Sequence, residues 1–160
     1  MVQYDEDAFV LRRNGCVPWE APFVYLLFGN AGAWLIDSGA TAKAAFFPLR
    51  ETVDAIITRW EQMRGRKRMP LTIALTSGED VAQNQGLRQF ADRPRTTIVP
   101  RPIGAMQAHY GLAGNWPGGT GAVDLGDRRS EVIPTPGSHR HGGTFSAPYC
   151  CVLVTVHLLF

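Results

Sequence analysis

Activating a water molecule on a metal ion takes several nitrogen, oxygen or sulfur donors at once, and this chain has few to offer. A catalytic zinc needs three protein ligands and one open position. The sequence holds four histidines and three cysteines. His139 and His141 sit among Gly137, Ser138, Gly142 and Gly143, a setting in which most imidazoles are solvated. His109 falls near a predicted helix end, where a protonated ring suits the helix dipole. His157 lies in an apolar run and reads as a core histidine. Cys150 and Cys151 are neighbours, which rarely allows an unstrained disulfide. With Cys16 they form an odd set, so small buried thiols in a reduced, intracellular setting are the default reading. Asp80 fits the first turn of a helix, where a carboxylate accepts backbone N–H groups. One carboxylate alone holds no catalytic metal.

Other chemistries are weaker still. The run Arg64, Arg66, Lys67, Arg68 closes a predicted helix without interleaved aromatics, the mark of a solvated cluster rather than a phosphate track. Between Gly111 and Gly121 there are five glycines and Pro117. That loop lacks the Lys-Ser/Thr pair of a phosphate-binding loop and opens no convincing helix. Trp116 within it could line a cleft or simply pack. A net charge of +2 is too small to imply a nucleic-acid partner.

The elements that must position these residues begin with ordinary globular composition: 45% hydrophobic and 19% charged over 160 residues, one domain or a piece of a larger one. Phe9 to Arg13, Phe23 to Phe28 and Ala33 to Asp37 are strand candidates, the last two joined by a turn at Gly29, Asn30 and Gly32. Pro48 opens a helix whose apolar face is Leu49, Val53, Ile56, Ile57 and Trp60, with Glu51 in its first turn and Gly65 at its end. Leu71 to Thr76 alternates as a strand with one buried face. A helix from Asp80 to Ala91 follows, then a strand at Thr96 to Val99 and a short helix from Ile103 to Tyr110. Ala122 to Leu125 and Ser130 to Ile133 form a hairpin turning at Gly126 and Asp127. Met1 to Asp7 carries three acidic residues and is no secretory signal. Cys150 to Phe160 is far short of the roughly 20 residues that span a bilayer. It reads as a buried strand on which the chain stops abruptly, as though cut short. No membrane partner is expected, and the expected location is the cytoplasm.

Within this order, Val24 to Gly29 followed by Trp34, Leu35, Ile36, Asp37, Ser38, Gly39 and Ala40 resembles the N-terminal signature of the metallo-β-lactamase superfamily. There a hairpin enters an Asp-Thr-Gly-like turn, followed by a helix, a strand and a loop of the form His-x-His-x-Asp-His. The helix after Pro48 and the strand from Leu71 stand in the family order. Glu131 to Gly137 looks like the strand and turn before the family's third metal histidine. The resemblance runs from about residue 9 to residue 149. It departs at Thr76, Ser77, Gly78, Glu79, Asp80, Val81 and Ala82, which read as the metal loop shortened, with its histidines gone and only Asp80 left. After Gly137 comes Ser138, then His139. No Asp follows Asp127.

The resemblance implies an α/β fold, an αββα sandwich of which this chain is the N-terminal half to two-thirds: a mixed sheet with flanking helices in a single domain over residues 1–160. It implies zinc as the parent cofactor, activating water against an ester, thioester or amide of a small-molecule substrate. The residues left to hold that zinc are Asp80, His139 and His141, with Asp37 as the supporting group near the site. A poorly bound or absent metal and weak or lost hydrolysis are expected. A working hydrolase with a site rearranged onto those three residues is the first alternative. A noncatalytic module that associates with itself through exposed apolar sheet is the second.

Overall fold

The computed structural model of the chain describes residues 1–13, 22–76, 82–135, 143–147 and 152–154, the last two segments and residues 82–83 by backbone alone. Ten strands form two sheets among the described residues. The first has the order β1 (Val2–Asp5), β2 (Ala8–Leu11), β3 (Val24–Gly29), β4 (Gly32–Ile36), β5 (Leu71–Ala74), β6 (Thr96–Ile98). Its first four strands pair antiparallel, whereas β4, β5 and β6 run parallel. Parallel neighbours need long crossovers. Helix α1 (Leu49–Arg64) supplies the first, and a 3₁₀ segment (Ala82–Phe90) lies in the second. The second sheet is antiparallel, in the order β10 (Val152–Val154), β9 (Gly143–Ala147), β8 (Arg129–Pro134), β7 (Gly121–Asp124), and α2 (Ile103–His109) precedes it in the chain.

Period-two alternation divides the first sheet's side chains between two cores. On one face Phe9, Leu26, Phe28, Leu35, Leu71 and Ile73 meet the predicted stripe of α1, and all five of its residues are buried. On the other, Leu27, Trp34, Ile36 and Ala74 meet Met106 and Tyr110 from the α2 region and Leu125 and Val132 from the second sheet. Strand β5 therefore has apolar contacts on both faces rather than the single buried face its alternation predicts. Residues 82–90 wind as a 3₁₀ helix inside the range predicted to be helical. Strands β1 and β9 are not among the predicted elements; β1 is short and exposed, and β9 lies where the family pattern fades.

Helix α1 stops where expected, with Gly65 left-handed at φ 62° and its N–H turned back onto the last carbonyls. Its start has no side-chain cap from Pro48. Instead Gln89, from the end of the 3₁₀ segment, accepts the Arg50 N–H at 3.3 Å.

At one end the two sheets are fastened together. The Asn30 N–H donates to Asp127 Oδ1 at 2.7 Å, and the Ala31 N–H to the Leu125 carbonyl at 2.6 Å. A Cβ on Gly29 would stand 2.5 Å from that same carbonyl oxygen, so only glycine lets the hairpins approach so closely. Strands β4 and β8 both begin at this junction, so both deliver the chain to the opposite end of the sandwich.

Trp60 shows what the helix–sheet layer is worth. It is 2% exposed, stacks on Phe28 at 4.9 Å between ring centroids, and donates Nε1–H to Asp7 at 2.7 Å. Replacing Trp60 by Ala should cost about 3–5 kcal/mol of unfolding free energy. Trp60→Phe should cost less, because the ring stack survives and only packing volume and the bond to Asp7 are lost. Urea titration of both variants measures the difference.

Candidate functional site

Asp37 stands at the end that β4 and β8 point toward, one residue beyond β4. The backbone there is left-handed, with φ at 64°, unusual for a residue other than glycine. Its N–H donates to the Ala74 carbonyl at 2.8 Å, extending the β4–β5 ladder by one rung. Its carboxylate is held by one residue of the neighbouring strand's exit. Thr76 donates its N–H to Oδ1 at 2.8 Å, and its hydroxyl lies 3.0 Å from Oδ1 and 2.9 Å from Oδ2. The turn predicted for Asp37, Ser38 and Gly39 is present, and it closes onto β5.

Burial pushes the Asp37 carboxyl up to about 6, against the pull of the Thr76 hydrogen bonds, which favour the ionised form. Tyr25, on β3, is also raised, chiefly by burial and then by the Asp37 charge. Tyr25 lies opposite Ile36 in the sheet register, which brings it to the same end.

Behind this turn the 3₁₀ segment packs at backbone distance. A Cβ on Gly86 would fall 1.8 Å from the Ser38 carbonyl oxygen, and the Gly86 N–H donates to the Gly39 carbonyl at 3.2 Å. Gln89 Nε2 reaches the carbonyls of Phe47 at 3.0 Å and Thr41 at 3.3 Å. The segment after Asp37 is thus held by 3₁₀ residues as well as by its own turn, in which the Phe46 and Phe47 N–H groups donate to the Lys43 carbonyl. Ser38 is fully buried, and its hydroxyl has no partner among the described residues.

The residues predicted to hold a metal, Asp80, His139 and His141, lie outside the described residues. Strands β5 and β8, which lead toward them, end at the same end of the sandwich as Asp37. Among the described residues no group of three or more His, Cys, Asp or Glu side chains could hold a metal. Asp37, predicted as the supporting group, has both carboxylate oxygens within reach of Thr76. His109 closes α2, with its ring edge-on to Tyr110 at 5.0 Å between centroids. Trp116 packs half-buried against the core between the sheets.

Sequence reasoning did not assign Thr76, Tyr25, Gly86 or Gln89 to this site. No local signal pointed to Thr76, which reaches Asp37 through the parallel pairing of β4 and β5. None existed for Gln89, whose partners stand 39 to 48 residues away. Among the described residues, no helix is long and apolar enough to cross a membrane.

No family model and no curated protein matches this chain. Solved structures do. It is similar to an archaeal metallo-β-lactamase superfamily protein from Sulfolobus tokodaii, with a TM-score of 0.51 and 16% identity over 87% of this chain and 59% of that one. The FEZ-1 metallo-β-lactamase from Legionella gormanii follows at a TM-score of 0.44 and 15% identity, over 78% of this chain and 51% of the enzyme. A metallo-β-lactamase family protein from Thermus thermophilus scores 0.43 at 15% identity, over 87% of this chain and 55% of that one. The fold is the metallo-β-lactamase fold, as the order of hairpin, helix, strand and second sheet implied. The chain spans between about half and three-fifths of the length of these structures.

Two consequences can be measured. The folded state keeps its proton on Asp37 up to about pH 6, whereas the unfolded chain gives it up near 3.8. This carboxyl therefore contributes stability at pH 4 and below that is lost as the pH climbs through 6. Asp37→Asn cannot titrate. Its unfolding free energy relative to the natural chain should rise between pH 4 and pH 6 and level off above pH 7 in urea titrations. Gly86→Ala should destabilise severely, because the new methyl group lands on the Ser38 carbonyl, and thermal melts against Gly104→Ala, where a Cβ meets nothing within 4 Å, should show it.

Proposed function

We propose that this chain is a hydrolase-like domain of the metallo-β-lactamase fold in which zinc-dependent hydrolysis is weak or lost. The observation that carries the reading is the state of Asp37. The carboxylate expected to support a metal site is engaged by the main chain and hydroxyl of Thr76, and so serves to join two strand ends. The sequence agrees, since Ser77, Gly78, Glu79, Asp80 and Val81 bring no imidazole or thiol to the loop after β5. A carboxylate or two without nitrogen or sulfur donors is a poor match for zinc. The parent substrate class is a small ester, thioester or amide, and the fold alone does not choose among them.

One observation favours a competing reading, a working site rebuilt on Asp80, His139 and His141. The strands that lead toward those residues, β5 and β8, finish at the same end of the sandwich.

Metal analysis separates the two. The purified chain, incubated with zinc and then desalted, should retain far less than one ion per chain, and the double variant His139→Ala/His141→Ala should retain the same amount. Tight retention of one or two zinc ions, lost together with ester hydrolysis in the double variant, would overturn the proposal.

A further inference from the structure

Besides Asp37, two residues other than glycine have a left-handed backbone among the described residues, and both are arginines: Arg68 at φ 62° and Arg95 at φ 52°. Such positions are unusual without glycine, and the strain persists where a side chain has a task. The two arginines open neighbouring strands. Arg68 comes shortly before β5 and Arg95 immediately before β6, and the Leu71 N–H donates to the Arg95 carbonyl at 3.0 Å where the parallel pair begins. Arg66 and Lys67 adjoin them, and all four residues are exposed.

This corner has no counter-charge of its own. Among the described residues Lys67, Arg68 and Arg95 take part in no ion pair. Arg66 is oriented by a neutral partner, donating to the Asn30 carbonyl at 3.3 Å and to Asn30 Oδ1 at 3.0 Å. The neighbouring carboxylates are turned to the main chain. Glu61 Oε1 accepts the Met69 N–H at 2.7 Å, and Asp127 Oδ1 accepts the Asn30 N–H at 2.7 Å. The dipole of α1 suits Arg64 in its last turn, but that field fades beyond the turn, and Arg95 belongs to a distant segment.

We propose that Arg66, Lys67, Arg68 and Arg95 form a binding site for a ligand carrying several linked phosphates, at the end of the sandwich opposite Asp37.

The chemistry of the four side chains selects that ligand. Three are guanidinium groups, whose planar forks meet phosphate oxygens two at a time. Strands lie about 4.8 Å apart, so the row from the Asn30 turn past β5 to Arg95 runs roughly 12 Å. A single phosphate cannot meet all of it, whereas a chain of phosphates can. Residues 66–70 and 94–96 include no aromatic side chain on which a base could stack, which separates this site from one for single-stranded nucleic acid. Glycine would relax the backbone at positions 68 and 95, and the chain keeps a cation at both.

Calorimetric titration of the natural chain with tripolyphosphate at low salt should show saturable binding that weakens as sodium chloride is added. Inorganic phosphate should bind roughly tenfold more weakly, because it engages fewer of the cations at once. Arg68→Gly and Arg95→Gly each relieve a left-handed position while removing a charge. Both should melt no lower than the natural chain, yet bind tripolyphosphate roughly fivefold more weakly. Lys43→Gln, which removes an exposed cation from the segment after Asp37, should leave binding unchanged. A natural chain that does not bind tripolyphosphate saturably would overturn the proposal. So would glycine variants that bind as tightly as the natural chain, an equal loss in Lys43→Gln, or equal affinity for inorganic phosphate.

Discussion

The architecture depends on strand β4 being covered from both sides. Ala33 and Leu35 face α1, while Trp34 and Ile36 face the second sheet, and all four are at most 1% exposed. A strand apolar on both faces cannot sit at a water boundary, so a layer must lie over each. Covering the first face requires a crossover helix, which in turn makes β5 parallel to β4. Covering the second requires the later strands, and the Asn30 to Asp127 junction holds their hairpin in place.

This logic explains why most of the fold could be read in advance. The stripe on α1, its stop at Gly65 and the turn at Gly126 follow from local periodicity and local backbone preference. The parts that could not be read depend on residues far apart in the chain. Ile73 and Ala74 point into different cores because two layers arrive from distant segments. Strand β1 has no periodic apolar face to announce it, since it covers nothing. At the candidate site Asp37 was legible as a turn residue, whereas its carboxylate's partner was not. Thr76 reaches it only because parallel pairing brings two strand ends side by side.

The polar end of the sandwich differs in kind from the rest. There Asp37 combines a left-handed backbone, a desolvated carboxyl and hydrogen bonds that only partly offset the burial. Such costs persist only where the surroundings hold them in place. Here the surroundings are the β5 exit through Thr76 and the 3₁₀ segment through Gly86. Among the described residues Thr76 alone accounts for the hydrogen bonds to the carboxylate, so one side chain and its own amide tie the two strand ends together.

Gln89 has a bearing on how the protein is made. Its side chain closes the exposed amide at the beginning of α1 and also grips the carbonyls of Thr41 and Phe47. A ribosome releases α1 well before it releases this glutamine. During synthesis the Arg50 amide and the Thr41 and Phe47 carbonyls therefore lack this partner. They gain it only when a stretch about forty residues downstream folds back to meet them.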